Sequence, residues 1–338
     1  MGLAPGARVR VLILVSLLAV AACSKSPVEP GAAGSASTVQ GQAVNVFDAA
    51  PIGGVSVQIG RSPAVTTDAS GAFTVDVGSA GTYATTLRRS EFVERETSVA
   101  APASGTRLSL IPSTFDLQSF DEMFRTSNER LQRWATRPRL VVIAAVMTYR
   151  ANGGEEYWTT GERLSDEEVT QLVSHMTEGL ALLTGGVYTE FAAVDIERPG
   201  ADTLVNVGRS GRIVVGRYDG VVAFARTIGY GSWAEQADGT ISAGSMFLDR
   251  DFDRNDARRR LLRIHELGHA LGYRHVTART SIMNPAIGPE PTDFDRAAAV
   301  LAFQRPIGNR SPDVDPASTP RTFTTTGEGA RWTTVYCR

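Results

Sequence analysis

Three of the chain's four histidines lie in one short stretch whose spacing suits metal binding. His265 and His269 stand four residues apart, so on a helix both imidazoles project from one face, about one turn apart, as a shared metal ion requires. Glu266 follows directly, and its carboxylate would lie beside the metal, where it can take a proton from metal-bound water. Gly272 can adopt the left-handed conformation that ends a helix. The chain would then return and bring His275 to the metal as a third ligand.

The resulting pattern, HExxHxxGxxH, resembles the zinc-binding consensus of the metzincin clan of metallopeptidases, and every fixed position of that consensus is filled. The clan's second mark is a methionine turn beneath the zinc. Residues 281–285, with the sequence SIMNP, resemble the matrixin form of this turn. The resemblance implies that Met283 packs below the site without binding the metal.

The same resemblance implies a zinc endopeptidase that acts on protein or peptide substrates. It predicts one catalytic Zn²⁺, because Phe224 stands where matrixins usually have a histidine for a second, structural zinc. Glu266 would be the general base, and the zinc ligands would be His265, His269 and His275. The implied fold class is α+β, with a mixed twisted sheet, a long backing helix and an active-site helix, preceded by an all-β sandwich domain.

Three alternatives to this peptidase stay open. A surface binding or adhesion lipoprotein could retain the metal scaffold without catalysis, although the intact Glu266 counts against it. A purely structural zinc site would need a fourth protein ligand, and near the motif the sequence offers no further histidine or cysteine. A gluzincin-type peptidase would need a downstream glutamate ligand in place of His275.

The N-terminus predicts export from the cytoplasm. Arg8 and Arg10 precede the apolar run 11–22, which is too short for a stable membrane span but suits a signal peptide over residues 1–22. The run ends in small residues before Cys23, and this resembles a bacterial lipobox. We therefore expect a lipid anchor on Cys23 in the bacterial cell envelope, with the outer membrane favoured; the alternative is an ordinary secretory peptide and a secreted protein.

Residues 23–38 are mostly Ser, Pro, Gly and Ala, a composition that predicts a disordered tether. Short alternating runs such as 55–59 and 72–77 then predict a small antiparallel β-sandwich over residues 39–112. This part resembles the carboxypeptidase regulatory-like β-sandwich. It contains no histidine, so we interpret it as a spacer or docking module.

A linker helix is predicted over residues 113–137, and the catalytic domain over 138–307. Within that domain the apolar run 140–147 predicts a buried strand. Ser165 and Glu168 form a capping box that predicts the start of the long backing helix. Further strands are expected at 191–196, 212–215 and 245–248, and a closing helix is expected after Thr292. The tail, 308–338, is predicted to be irregular, with 332–336 as a candidate strand.

Charge and cysteine content restrict the partners. The formal net charge is −2 and no long basic block occurs, which argues against nucleic acid as a partner. With Cys23 lipidated, Cys337 has no partner for a disulfide. Asp249, Asp251 and Asp253 are candidate oxygen ligands for Ca²⁺, although a loop that caps the next helix is the favoured interpretation. The oligomeric state is left open.

Overall fold

A computed structural model of the chain describes residues 37–125, 129–148, 156–219, 227–317 and 330–338. The predicted signal peptide and Cys23 lie outside the described residues. The first strand begins at Thr38, so the predicted tether is too long by at least that residue. Ala36–Arg338 form one compact unit.

The first seven strands form two small sheets. Their bounds are β1 (Thr38–Asn45), β2 (Ser56–Ile59), β3 (Val65–Thr66), β4 (Ala72–Asp76), β5 (Gly81–Arg88), β6 (Arg95–Ala101) and β7 (Ala103–Leu110). One sheet has the order β4-β1-β7 and the other β3-β2-β5-β6. Buried residues of both sheets, among them Val39, Phe73 and Leu87, share one hydrophobic cluster. β2 and β4 fall where the alternating sequence predicted strands.

The predicted linker helix is much shorter than expected. Helix α1 (Leu117–Phe124) begins at its cap Asp116, whose side chain accepts a hydrogen bond from the Ser119 amide at 3.0 Å. Trp134 belongs instead to the two-residue strand β8 (Arg133–Trp134). The prediction of one helix over residues 113–137 was wrong because the apolar residues after Phe124 pack through a strand and a loop.

The larger sheet contains nine strands among the described residues. Besides β8 these are β9 (Arg139–Thr148), β10 (Glu156–Arg163), β11 (Val194–Glu197), β12 (Leu204–Asn206), β13 (Arg212–Asp219), β14 (Gly229–Glu235), β15 (Thr240–Asp249) and β16 (Arg331–Cys337). The main order is β12-β10-β9-β13-β15-β14-β16, and β11 and β8 pair with β9 and β15. β9 pairs in parallel with β13 and antiparallel with β10, so the sheet is mixed, as predicted.

Apolar faces on both sides of this sheet are covered, which explains why the run 140–147 is buried throughout. Helix α2 (Asp166–Leu183) lies on one face and starts at the predicted capping box: the Ser165 Oγ accepts from the Glu168 amide, and the Glu168 carboxylate accepts from the Ser165 amide. Gly179 allows α2 to approach the helix that carries Leu267 closely, since a Cβ on Gly179 would lie 3.1 Å from the Leu267 side chain.

Three more helices lie between β15 and β16 in the chain: α3 (Arg250–Asn255), α4 (Arg259–Ala270) and α5 (Asp293–Gln304). α5 begins at Thr292 with a capping box completed by Asp295, in agreement with the predicted closing helix. α4 lies between α2 and the sheet and carries the histidine pair. The mixed α+β fold class is therefore confirmed.

The C-terminal segment is part of the fold rather than a free tail. Residues 308–317 form no helix and no named strand, but Asn309 and Asp313 in this segment are fully buried. The candidate strand at 332–336 is present and longer, as β16, and pairs with β14 at the end of the large sheet. No helix within the described ranges is long and apolar enough to cross a membrane.

Candidate metal centre

Helix α4 holds the first two histidines of the motif on one face. His265 and His269 are buried, and their Nε2 atoms lie 3.0 Å apart. The four-residue spacing thus brings the imidazoles together as the sequence predicted.

Gly272 turns the chain after α4. It has φ of +100°, and a Cβ at this position would lie 2.2 Å from Ile241 Cδ1, so only glycine fits without rearrangement. The turn is closed by the Tyr273 amide, which donates to the Gly268 carbonyl at 2.9 Å. As a result, His275 Nε2 comes within 3.2 Å of His269 Nε2.

Backbone carbonyls orient the two helical imidazoles. The Nδ1 of His265 donates to the Ile282 carbonyl at 2.6 Å, and the Nδ1 of His269 donates to the Tyr273 carbonyl at 2.7 Å. A carbonyl oxygen only accepts, so in a neutral imidazole the proton lies on Nδ1 and the Nε2 lone pair points into the cluster. Converging lone pairs repel one another unless a cation lies between them.

Burial keeps all three imidazoles in the neutral form that binds metals. It lowers the pKa of His265 and of His275 to about 4. It also lowers the pKa of His269 well below its usual value, with a further contribution from the two neighbouring histidines. Neutral imidazoles with Nε2 free are the form that a metal ion requires.

A fourth donor, missed by the sequence analysis, completes the cluster. The Sγ of Cys337 lies 3.0 Å from His265 Nε2, 3.4 Å from His269 Nε2 and 3.6 Å from His275 Nε2. No cysteine lies near the motif in the sequence, but β16 brings the distant Cys337 to the site. The expectation that a fourth protein ligand is lacking was therefore wrong. The only sequence signal was the candidate strand at 332–336, which ends beside this cysteine.

The four donor atoms fit a single zinc ion. All of them lie within 4.8 Å of one another. Zinc bonds of about 2.0–2.1 Å to nitrogen and about 2.3 Å to sulfur, arranged tetrahedrally, place neighbouring donors roughly 3.3–3.6 Å apart. Five of the six separations among these atoms are 3.0–3.6 Å, close to this range, and the sixth, between His265 and His275, is at most 4.8 Å. The cluster is thus compatible with zinc binding by three histidines and one cysteine.

Glu266 lies next to the cluster and is completely buried. Burial raises the pKa of its carboxyl well above the usual value, and the neighbouring Cys337 thiol opposes this shift only in part. Neither carboxylate oxygen has a hydrogen bond of ordinary geometry within the described residues, although the thiol is close enough to affect the pKa of the carboxyl. An unsatisfied buried carboxyl beside converging nitrogen atoms is suited to proton transfer to and from a bound water.

The methionine lies beneath α4, where the resemblance placed it. Met283 is buried, and a Cβ on Gly268 of α4 would lie 2.6 Å from its sulfur. The turn is held from α5, because Asp295 accepts hydrogen bonds from the Ser281 hydroxyl and the Ile282 amide. This fixes the Ile282 carbonyl that orients His265.

The aspartates proposed as calcium ligands have other partners. Asp249 caps α3 by accepting from the Phe252 amide at 2.8 Å, which agrees with the favoured interpretation. Asp253, however, is fully buried rather than solvated, and its carboxylate binds Arg217 and Arg263. Asp251 pairs with Arg250 at the surface. These contacts explain the three carboxylates without calcium.

Comparison with known proteins agrees with this geometry. Residues 154–298 match the family model of the matrixins. This supports a metzincin-like domain of the zinc metallopeptidase type. The matched region contains the three histidines, Glu266 and Met283, and it ends before Cys337.

Other comparisons add little. No curated protein matches the chain. Among solved structures, it is similar to a chain of a C-terminal interface mutant of a type II cohesin–X–dockerin complex from Acetivibrio cellulolyticus. That match has 20% identity, covers 27% of this chain and 75% of the other, and has a TM-score of 0.18. A TM-score this low is no basis for inferring a shared fold.

Proposed function

We propose that the chain is a zinc-dependent endopeptidase that hydrolyses peptide bonds of extracytoplasmic proteins. The observation that carries this proposal is the convergence of three histidine Nε2 atoms next to the buried, unsatisfied carboxyl of Glu266. The zinc ligands are His265, His269 and His275. A zinc ion held there would supply Lewis-acid polarisation of a peptide carbonyl.

The remaining chemistry is assigned to the protein itself. Glu266 accepts a proton from the attacking water and delivers it to the amine of the leaving peptide. Burial raises the pKa of the carboxyl and so makes the carboxylate a stronger base toward water, whereas a bound dication would favour the ionised form that starts the cycle. Met283 and the turn around it hold the histidine orientation and take no part in proton transfer.

The test is cleavage of a denatured protein mixture, with and without a metal chelator. His275→Ala should bind zinc more weakly and lose the peptidase activity, because only His265, His269 and the Cys337 thiol remain to hold the metal. His175→Ala is a matched control, since this histidine lies on α2 beside Arg263 and outside the cluster. Equal zinc content and cleavage in wild type and His275→Ala would contradict the ligand assignment and favour the gluzincin alternative.

A catalytically weak binding or adhesion lipoprotein on the same scaffold is the alternative function. It predicts normal zinc content without cleavage of any substrate in the mixture. Since Glu266 is in place, we favour the peptidase.

We further propose that lipid on Cys23 anchors the protein in the bacterial cell envelope. The apolar run before Cys23 and the small residues at its end support this. Fatty-acid labelling should modify wild type and leave Cys23→Ser unmodified. Identical labelling of the two chains would show that Cys23 is not the lipidation site.

A further inference from the structure

We infer that Cys337 is the fourth ligand of the zinc and that β16 keeps the active site closed. The inference concerns the regulation of the peptidase and therefore rests on the function proposed above. In this state the protein is latent, and it becomes active when its own C-terminal strand leaves the sheet.

The thiol occupies the fourth coordination position, which a catalytic zinc site keeps open for water or substrate. Catalytic zinc sites keep three protein ligands and one open position, whereas four protein ligands make a closed site. Cys337 Sγ lies within 3.6 Å of all three histidine Nε2 atoms and next to the Glu266 carboxyl. The sulfur thus excludes a water molecule from the space between the metal ligands and the general base.

Main-chain pairing delivers the thiol to this position. β16 runs antiparallel to β14 in an unbroken register, from Arg331 opposite Glu235 to Cys337 opposite Gly229. Gly229 also lies against the general base, since a Cβ there would be 2.6 Å from Glu266 Oε1. The residue opposite Cys337 in the ladder therefore touches the catalytic carboxylate.

The burial of the two strands indicates that β16 can detach. Every residue of β14 is buried, whereas in β16 only Cys337 is buried and the other six residues are exposed or partly exposed. Among the described contacts of these six side chains, Thr334 bonds Ser232 at 2.9 Å, Tyr336 lies against Tyr230, and the partly buried Val335 packs against the large core. A strand at the end of a sheet whose side chains are mostly only partly buried opens at lower free-energy cost than the fully buried strands beside it.

Opening would expose two things together. The fourth position at the metal becomes free, and so does the outer edge of β14 with its unpaired main-chain N–H and C=O groups. An extended peptide can pair with such an edge in place of β16. The strand therefore blocks both the metal and the adjoining edge. It can leave without cleavage of the polypeptide, once the coordination bond between the zinc and the Cys337 sulfur breaks.

The experiment uses the full chain with Cys23→Ser, so that Cys337 is the only thiol. The protein is loaded with Co²⁺, whose bond to a thiolate gives an intense charge-transfer absorption that histidine ligands do not give. The test variants are Cys337→Ala and Cys337→Ser, the second of which keeps the size of the side chain. Thr333→Ala is the control, since it alters the same strand without touching a ligand.

The parent chain and Thr333→Ala should show the thiolate absorption, and both Cys337 variants should lack it while still binding one metal ion. If the open state has a population of about 0.1–10%, the Cys337 variants should cleave peptides about ten- to a thousandfold faster than the parent. Thermal unfolding checks that each variant is folded, and retention of the metal by either Cys337 variant is sufficient for the comparison.

The outcomes separate the two proposals. Absence of the thiolate absorption in the parent chain, or equal peptidase activity in parent and Cys337 variants, would overturn the inference and leave the peptidase function intact. Thiolate absorption in the parent, with no cleavage by any variant, would instead show a closed structural zinc site. That result would overturn both the latency and the proposed function.

Discussion

At the scale of single residues, the metal centre depends on backbone carbonyls that bind the histidine Nδ1 atoms, on the side of each ring that faces away from the cluster. The carbonyls of Ile282 and Tyr273 bind the Nδ1 atoms of His265 and His269 and so direct both Nε2 atoms inward. Glycines in β14 then allow the helix with these histidines to lie directly on the sheet. A Cβ on Gly231 would lie 2.4 Å from His269 Cβ and 2.8 Å from the Glu266 carbonyl oxygen.

Gly231→Ala should therefore push α4 away from β14. Overpacking of this kind typically costs about 1–3 kcal/mol, so the free energy of unfolding should fall by this amount and zinc affinity should fall with it. Denaturant unfolding and metal titration measure the two effects. Gly200→Ala is the control, because a Cβ there comes no closer than 3.9 Å to any neighbour; equal effects of the two substitutions would contradict the packing argument.

The positions of the side chains near the motif could be predicted from the sequence, because helical spacing and the glycine turn are local properties. The three histidines and Gly272 lie where that reasoning placed them, and Met283 lies where the resemblance to the metzincins placed it. Cys337 could not be assigned in this way. Its contact with His265 spans 72 residues and depends on the pairing of β16 with β14, which no local pattern specifies.

At the scale of elements, a network of ion pairs joins α2 to the sheet and to α3. Glu168 of α2 accepts hydrogen bonds from Arg217 of β13 and Arg254 of α3. Burial alone would raise the pKa of Glu168, but the Ser165 amide and the two arginines outweigh burial and lower it to about 2. The folded state therefore favours the ionised carboxylate.

This lowered pKa makes part of the stability dependent on pH. The contribution of Glu168 is fully present above its unfolded pKa of about 4.5 and is lost as the pH falls from there to about 2. Glu168→Gln should thus be less stable than wild type at pH 7, and the difference should shrink through this window. Urea unfolding at several pH values measures it, with the exposed Glu167→Gln as control. A difference that does not change with pH would rule out the charge as its cause.

Elements with strong local signals were predicted well. The caps at Ser165 and Thr292 mark the starts of α2 and α5, and the continuous apolar run marks β9. The region after Phe124 was predicted wrongly, because its apolar residues have spacings compatible with a helix but lie in a strand and a loop that bury them. Short apolar runs do not distinguish these cases without the tertiary partners.

At the scale of the whole molecule, the segment after α5 joins the small sheets to the catalytic part. Arg305 binds Asp313 through two contacts of 2.7 Å, with both side chains fully buried, and it also binds Ser109 of β7. Arg95 of β6 pairs with Asp315 nearby. The domain boundaries drawn from composition did not include this connection, since ion pairs between distant segments leave no local pattern.

Removal of Asp313 should destabilise the small sheets and the catalytic part together. Asp313→Ala leaves the Arg305 charge buried without its carboxylate, and breaking a buried pair typically costs about 3–5 kcal/mol. Glu190→Ala is the control, because its ion pair with Arg137 is exposed and such pairs contribute about 0–1 kcal/mol. Denaturant unfolding followed by two probes should show one coincident shift; a shift of equal size in the control would contradict the prediction.

The central claim is that a zinc ion on three histidines works with Glu266 as the general base. One comparison tests it most directly: peptide-library turnover by Cys337→Ala and by Cys337→Ala combined with Glu266→Gln. Both chains should bind one zinc, while loss of the base should lower turnover by about a hundred- to ten-thousandfold, the usual effect of general-base catalysis. Equal turnover by two zinc-loaded chains would contradict the account.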